Sequence, residues 1–271
     1  MIVLKILAVL CIIFLCLFAL YVFVFVRPKK RGFVSDKLLT EYAHRGLHGK
    51  GVPENSLLAF EKAVNNGFGI ELDVQLSKDG VVTVFHDYSL LRMTGVDKKL
   101  SEVDFSELNS LSLNNTEEKI PSFKDVLRLV NGKVPILVEL KGESFDTSLC
   151  EKTAALLKEY KGDYCVESFN PLLILNIKKF LPEVYCGQLY TNVCRDKGKK
   201  TILNIILTLM GFNFLARPDF IAYNKTDRNS FPVKLTTKFY KAVSFVWTVK
   251  GKKELYEART FGEYPIFEEN E

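Results

Sequence analysis

The 271-residue chain has 37 Lys and Arg against 32 Asp and Glu, a formal net charge of +5. Five basic residues in the first 31 positions, Lys5, Arg27, Lys29, Lys30 and Arg31, account for all of it, and residues 32–271 carry 32 of each sign. A nucleic-acid binder normally carries excess positive charge on its folded domain, so no nucleic-acid partner is expected.

From Ile6 to Val26 no residue is charged. As a helix this run reaches ~31 Å, the thickness of a bilayer's hydrocarbon core. The run ends in aromatic and β-branched residues before Arg27, without the small residues a signal protease requires, and Cys11 and Cys16 lack the small residue that precedes a lipoprotein cysteine. The reading is an uncleaved single-pass membrane anchor with its basic flank over residues 1–31, in contact with membrane lipid. The basic flank places the domain over residues 32–271 on the cytoplasmic face, with Lys5 pulling the other way. Cys150, Cys165, Cys186 and Cys194 show no C-x-x-C spacing. Neither zinc site nor disulfide is expected, in keeping with a reducing compartment.

Beyond the anchor, apolar strand-like runs alternate with helix-spaced segments. The strands are expected at 42–44, 70–76, 81–85, 136–140, 164–168, 184–189, 220–223, 243–249 and 264–267. The helices are expected at 56–66, 123–130, 147–160, 171–180, 202–214, 233–241 and 252–260. Ser122, Asn170-Pro171 and Phe231-Pro232 mark helix starts. Such alternation predicts an α/β fold, a TIM (β/α)8 barrel. The ninth strand, 81–85, follows Ser77-Lys78-Asp79-Gly80 and is read as a hairpin extension of the second. An open doubly wound sheet would want a Gly-rich phosphate loop after its first strand, and no G-x-G-x-x-G is present.

Reactive groups of such barrels sit at the C-terminal strand ends. Those ends carry His44 and Arg45, Glu71 and Asp73, His86 and Asp87, Glu139 and Lys141, then Ser168, Gln188 and Trp247. Residues two apart on a strand share a face, so Glu71 projects with Asp73, and Glu139 with Lys141. Three converging carboxylates call for a cation, and an all-oxygen set suits Ca²⁺ or Mg²⁺. Arg45 and Lys141 complete an anion site suited to phosphate. Two histidines supply an acid–base pair near neutral pH. Trp247 is read as a wall of the site, and Gln188 and Ser168 as candidate substrate contacts. His48 is read as a loop residue near the mouth.

Tyr42-Ala43-His44-Arg45-Gly46 with Pro53-Glu54-Asn55-Ser56, Ile70-Glu71-Leu72-Asp73-Val74, and Val84-Phe85-His86-Asp87 with Leu91-Arg92 together resemble the signature of the glycerophosphodiester phosphodiesterases. Val138-Glu139-Leu140-Lys141, Glu167-Ser168-Phe169 and Val246-Trp247-Thr248 sit where that family has comparable blocks. The resemblance implies a TIM barrel with one divalent cation, hydrolysing a glycerophosphodiester to glycerol 3-phosphate and an alcohol. By position, Glu71, Asp73 and Glu139 match metal ligands, His44 and His86 the acid–base pair, and Arg45 a phosphate contact; Lys141 fits a further one. A lysophospholipid is an alternative substrate, giving lysophosphatidic acid. Which histidine is acid and which base stays open. The C-terminal Gly262–Phe267 segment departs from the family's closing strand.

A silent head-group-binding module and an inositol-lipid phospholipase C are the rival readings. The intact metal and acid–base set argues against the first, and Glu54-Asn55 with three carboxylates against the second. The run Ile202–Leu215 is too apolar for a barrel helix, with Thr201, Asn204, Thr208 and Gly211 forming one narrow polar stripe. It points to membrane or hydrophobic-substrate contact, or to burial by the N-terminal region or a partner subunit.

Overall fold

The computed structural model describes residues 1–29, 34–142 and 146–269. Lys30 and Arg31 of the basic flank lie outside the described residues. The strands are β1 (Tyr42–Ala43), β2 (Gly69–Leu76), β3 (Val82–Val84), β4 (Ile136–Leu140), β5 (Tyr164–Ser168), β6 (Cys186–Tyr190), β7 (Phe220–Asn224), β8 (Val243–Lys250) and β9 (Tyr264–Glu268). Eight of them pair in parallel in the order β1-β9-β8-β7-β6-β5-β4-β2, and β1 pairs with β2 to close the ring. This is a TIM barrel. β3 stands outside the ring as an antiparallel hairpin partner of β2, with Val74 opposite Val84. Gly80 makes that turn at φ +78°, a left-handed conformation that favours glycine.

Strand alternation sorts the side chains into two packed layers. Ile70, Leu72 and Val74 of β2, with Ile136, Val138 and Leu140 of β4, face the surrounding helices. Tyr42, Leu137, Cys165, Phe220, Phe245 and Ile266 fill the barrel's lower interior, and Leu38 packs beneath them as a floor. The barrel is therefore solid below, and its polar chemistry is confined to the upper layers.

Several of the helix starts expected from sequence carry side-chain caps, while the one at Phe231-Pro232 has none. Ser56 Oγ accepts from Ala59 N–H and Ser122 Oγ from Asp125 N–H, and Asn170 caps a helix with Pro171 in its first turn. Two helices differ from expectation. The 202–214 run breaks into Ile202–Thr208 and Asn213–Ala216, with Met210 at φ +53° between them. The following helix begins at Phe231 rather than Val233 and loosens into a π-turn over Leu235–Phe239.

Between β3 and β4 the chain forms no large cap. Phe85, Leu90, Met93, Leu100, Leu108 and Ile120 make a small satellite core there. At the N-terminus an apolar helix spans Ile2–Leu20 and continues as a π-turn over Tyr21–Phe25.

Candidate active site

Parallel register brings the acidic residues together. Asp73 of β2 stands opposite Glu139 of β4, and Glu139 opposite Glu167 of β5. Glu71 lies one step lower on β2, on the same inward face. Carboxylate oxygens of Glu71, Asp73 and Glu139 all lie within 4.8 Å of one another, and all three side chains are buried. This all-oxygen donor set fits a hard divalent cation.

The charges are unequal. Asp73 is buried, which disfavours its ionised form, but Lys141, His86 and Arg45 outweigh that and hold it far below the usual carboxylate range. Burial, reinforced by Asp73 and Glu139, pushes Glu71 well above it. Burial lifts Glu139 to about 7, with Lys141 pulling the other way and Asp73 adding to the rise. Lys141 Nζ lies 2.8 Å from Glu139 Oε1 and 3.1 Å from Asp73 Oδ1. Three buried carboxylates cannot all ionise against one lysine and one arginine, so a bound cation would displace protons as it enters.

Arg45 follows β1 in the left-handed region at φ +54°. Its N–H donates to Glu71 Oε2 at 2.9 Å and its carbonyl accepts from Asn55 N–H at 2.9 Å, so both neighbours over-determine the turn. Glu54 Oε1 holds the Arg45 guanidinium at 2.8 Å, and Arg92 holds the same carboxylate at 2.6 Å. Asn55 Nδ2 donates to Asp73 Oδ2 at 2.9 Å. The Pro53-Glu54-Asn55 block thus orients both the arginine and the central acid.

Each histidine has its own carboxylate. His44 Nδ1 lies 2.8 Å from Glu268 Oε1, with Nε2 4.0 Å from Glu71 Oε2. His86 Nδ1 lies 2.6 Å from Asp87 Oδ1, and Arg92 Nε holds the other Asp87 oxygen at 2.5 Å. Burial lowers both imidazole pKa values; Glu268 opposes the fall at His44, and Asp73 chiefly opposes it at His86. With Nδ1 facing a carboxylate on each ring, Nε2 is the atom left for proton transfer.

Trp247 lies on the inward side of β8 at the mouth, edge-on to Phe169 at 5.6 Å. Gln188, read as a candidate substrate contact, is turned away from the acidic cluster. It shares the outer side of β6 with Cys186 and Tyr190, because Tyr185 and Leu189 take the inward positions. Its Nε2 donates to the carbonyls of Ser168, Phe169 and Leu189, tying the ends of β5 and β6. Ser168 likewise donates to Leu140 O at 2.7 Å. His48 lies beside His44 and Glu268 at the edge of the site.

Two carboxylates at the site, Glu167 and Glu268, have no site role assigned from the sequence. Glu167 is buried in the acid layer, where burial, then Glu71 and Glu139, push its carboxyl well above the usual range. Glu268 was masked by the atypical closing strand. The signal for it was a carboxylate at the end of the last strand, which must close against the first.

The sequence profile of the Glycerophosphoryl diester phosphodiesterase family matches residues 44–267, a span running from the first catalytic-candidate histidine to the penultimate residue of β9. The chain belongs to this family. It is a phosphodiesterase, and the relatives say the same. It is 34% identical over 224 residues to a glycerophosphodiester phosphodiesterase of Caldanaerobacter subterraneus, covering 79% of this chain and 86% of that one. A lysophospholipase D of Rattus norvegicus is 31% identical over 149 residues, half of this chain and 45% of the relative. The phosphodiesterase barrel is also similar to a solved glycerophosphodiester phosphodiesterase of Thermotoga maritima, at TM-score 0.64 and 27% identity, covering 85% and 94% of the two chains. An Oleispira antarctica phosphodiesterase, solved with its product sn-glycerol-3-phosphate, shares the fold at TM-score 0.70 and 20% identity, covering 84% and 92%.

Proposed function

We propose that this phosphodiesterase hydrolyses a glycerophosphodiester or a lysophospholipid, releasing glycerol 3-phosphate or lysophosphatidic acid and an alcohol. The observation that carries the reading is the convergence of two carboxylate-held histidines on the Glu71–Asp73–Glu139 cluster at one barrel mouth. In this reading the three acids hold one Ca²⁺ or Mg²⁺, which supplies charge neutralisation to a phosphodiester oxygen when bound. Arg45 and Lys141 take further phosphate oxygens, Arg45 through its fork and Lys141 as a point charge. His44 and His86 exchange protons through Nε2 with the leaving and attacking oxygens. Trp247 and Phe169 form an apolar wall for the remainder of the substrate.

The proposal extends to location: residues 1–31 form a single-pass anchor and residues 32–271 a catalytic domain on the cytoplasmic face. The helix Ile2–Phe25 has a mean hydropathy of 3.1 over its best window. Every residue from Met1 to Leu20 is exposed, a length of ~30 Å that supports the anchor reading. Exposed apolar side chains on the barrel beside this helix favour a lipid-derived diester over a soluble one. Turnover of a panel of glycerophosphodiesters and lysophospholipids, with product identification and with chelator, tests the proposal. Release of glycerol or monoacylglycerol together with the head group's phosphomonoester, in place of glycerol 3-phosphate or lysophosphatidic acid, would overturn it.

A further inference from the structure

The N-terminal chain descends the outer wall of the barrel, and its contacts run in order. The ring of Phe18 lies 6.2 Å from that of Phe231, and so does the ring of Tyr21. Tyr21 Oη donates to Leu209 O at 3.0 Å, and Val22 O accepts from Tyr240 Oη at 2.6 Å. Phe25 packs edge-on against Phe214 at 5.2 Å, and Val26 O accepts from the buried Asn213 Nδ2 at 3.0 Å. Lys29 N–H then donates to Pro218 O at 2.8 Å. Phe231 opens the helix that leaves the C-terminal end of β7, so it belongs to the catalytic end of the barrel. Pro218 lies two residues before β7 and belongs to the floor. Beyond it, Ser35 and Lys37 both meet Asp163 at 3.3 Å, on the residue before β5, also at the floor. The N-terminal helix therefore points past the catalytic rim, away from the floor.

A second observation lies beside that helix on the same rim. The Ile202–Thr208 helix is turned inside out for a water-facing element. Its polar residues face inward: Asn204 is buried with Nδ2 on Lys199 O at 2.8 Å, and Thr208 Oγ1 accepts from Cys194 N–H at 3.1 Å. Its apolar residues face outward, with Ile202 80% exposed and Leu203 55%, followed by Ile205 and Leu209. Cys194 sits in the turn just after β6, so this edge borders the catalytic end. Lys197, Lys199 and Lys200 stand exposed in the same loop. An apolar edge fringed by lysines is complementary to the interface of an anionic bilayer.

We infer that the barrel is held mouth-first against the membrane, with the edge at 197–209 seated in the bilayer interface, so that substrate enters from the facing leaflet. This rests on the anchor reading above and adds an orientation to it. A helix leaving from the floor side would have turned the active site toward the aqueous phase instead. Here the anchor and the lysine-fringed apolar edge share the end that carries His44, His86 and the acidic cluster.

The test uses the full chain, with Cys11, Cys16 and Cys194 replaced by Ser, in nanodiscs of phosphatidylcholine and phosphatidylglycerol. An NBD label is placed either at Leu203→Cys on the rim or at Lys37→Cys on the floor. The expected result is blue-shifted emission at 203, quenched by nitroxide-bearing lipids, with water-like unquenched emission at 37. Equal, water-like emission at both positions in protein that co-purifies with the discs would overturn the orientation while leaving the anchor intact. A shielded label at 203 that the nitroxide lipids do not quench would mean that a second copy covers the edge, and would also overturn it. Protein that fails to co-purify with the discs would defeat the anchor reading itself. Separately, the triple variant Ile202→Ser, Leu203→Ser, Ile205→Ser should raise KM for vesicle-borne lysophospholipid about tenfold through lost interfacial burial. Turnover of soluble glycerophosphocholine should be unchanged; an equal effect on both substrates would overturn the inference.

Discussion

His44 and Glu268 are 224 residues apart in sequence, yet His44 Nδ1 and Glu268 Oε1 lie 2.8 Å apart. The contact exists because the barrel closes. Ala43 pairs with Phe267, His44 N–H donates to Phe267 O, and the next residue along β9 arrives beside the imidazole. Lys250 Nζ holds the other Glu268 oxygen at 2.7 Å. The His44 bond, opposed by burial and aided by Lys250, holds the Glu268 carboxyl far below its usual range.

The first prediction follows from that pair. Glu268→Gln keeps the shape and removes the charge that orients and supports the imidazole. Turnover should fall about 10- to 10²-fold, a part of the 10²–10⁴ that an acid–base group contributes. Glu268 raises the His44 pKa against burial, so the limb of the pH–rate profile that reports His44 should move to lower pH. That direction holds whether His44 acts as acid or base. A profile that keeps its shape would assign Glu268 to structure alone.

Replacing His44 or His86 with Ala should each cost about 10²–10⁴-fold in kcat. Circular dichroism and the melting temperature should be little changed, since both rings line the mouth rather than the core. Near-normal turnover in either variant would remove that histidine from the proposed mechanism.

Cation binding should depend on pH in a defined direction. Burial leaves Glu139 with a pKa of about 7 and Glu71 well above its usual range, so both tend to hold protons that an incoming cation displaces. Affinity should therefore rise with pH, by about tenfold per unit below pH 7 for each proton displaced. Calorimetry with Ca²⁺ and Mg²⁺ in buffers of different ionisation enthalpy measures the protons released. Activity should be lost on chelation and restored by adding the cation back.

A stability prediction comes from Gly187 on β6. A Cβ there would lie 1.9 Å from the Phe220 ring, its register partner on β7, inside the barrel. Gly187→Ala should destabilise the fold by about 1–3 kcal/mol through overpacking. For a domain of this size that lowers the melting temperature by roughly 2–4 °C per kcal/mol.

Topology is tested in intact cells. A cysteine introduced at the exposed Lys99, with Cys194 replaced, should resist a membrane-impermeant thiol reagent and react after permeabilisation. Prompt labelling of intact cells would reverse the orientation inferred from the basic flank of Arg27, Lys29, Lys30 and Arg31.

Much of this phosphodiesterase was legible in one dimension. The alternation that sends Glu71 and Asp73 to one face, the caps at Ser122 and Asn170, and the hairpin at Gly80 are encoded in contiguous residues, so local rules suffice to read them. The pairs and layers that join distant segments are not. Whether Gln188 faces the mouth or the helices depends on which parity of β6 turns inward, which is settled only when Tyr185 and Leu189 pack inside the closed ring. The break at Met210 is bridged by the distant N-terminal segment, where Tyr21 donates to Leu209 O and Val26 O accepts from Asn213. The acids that would hold a cation could be named from sequence because each carries its chemistry in its side chain. Closure brought Glu268 to His44, and packing of Phe18 through Lys29 down the barrel wall turned the apolar helix toward the catalytic rim. Both are long-range events whose free energy comes from surfaces that meet only in the folded chain.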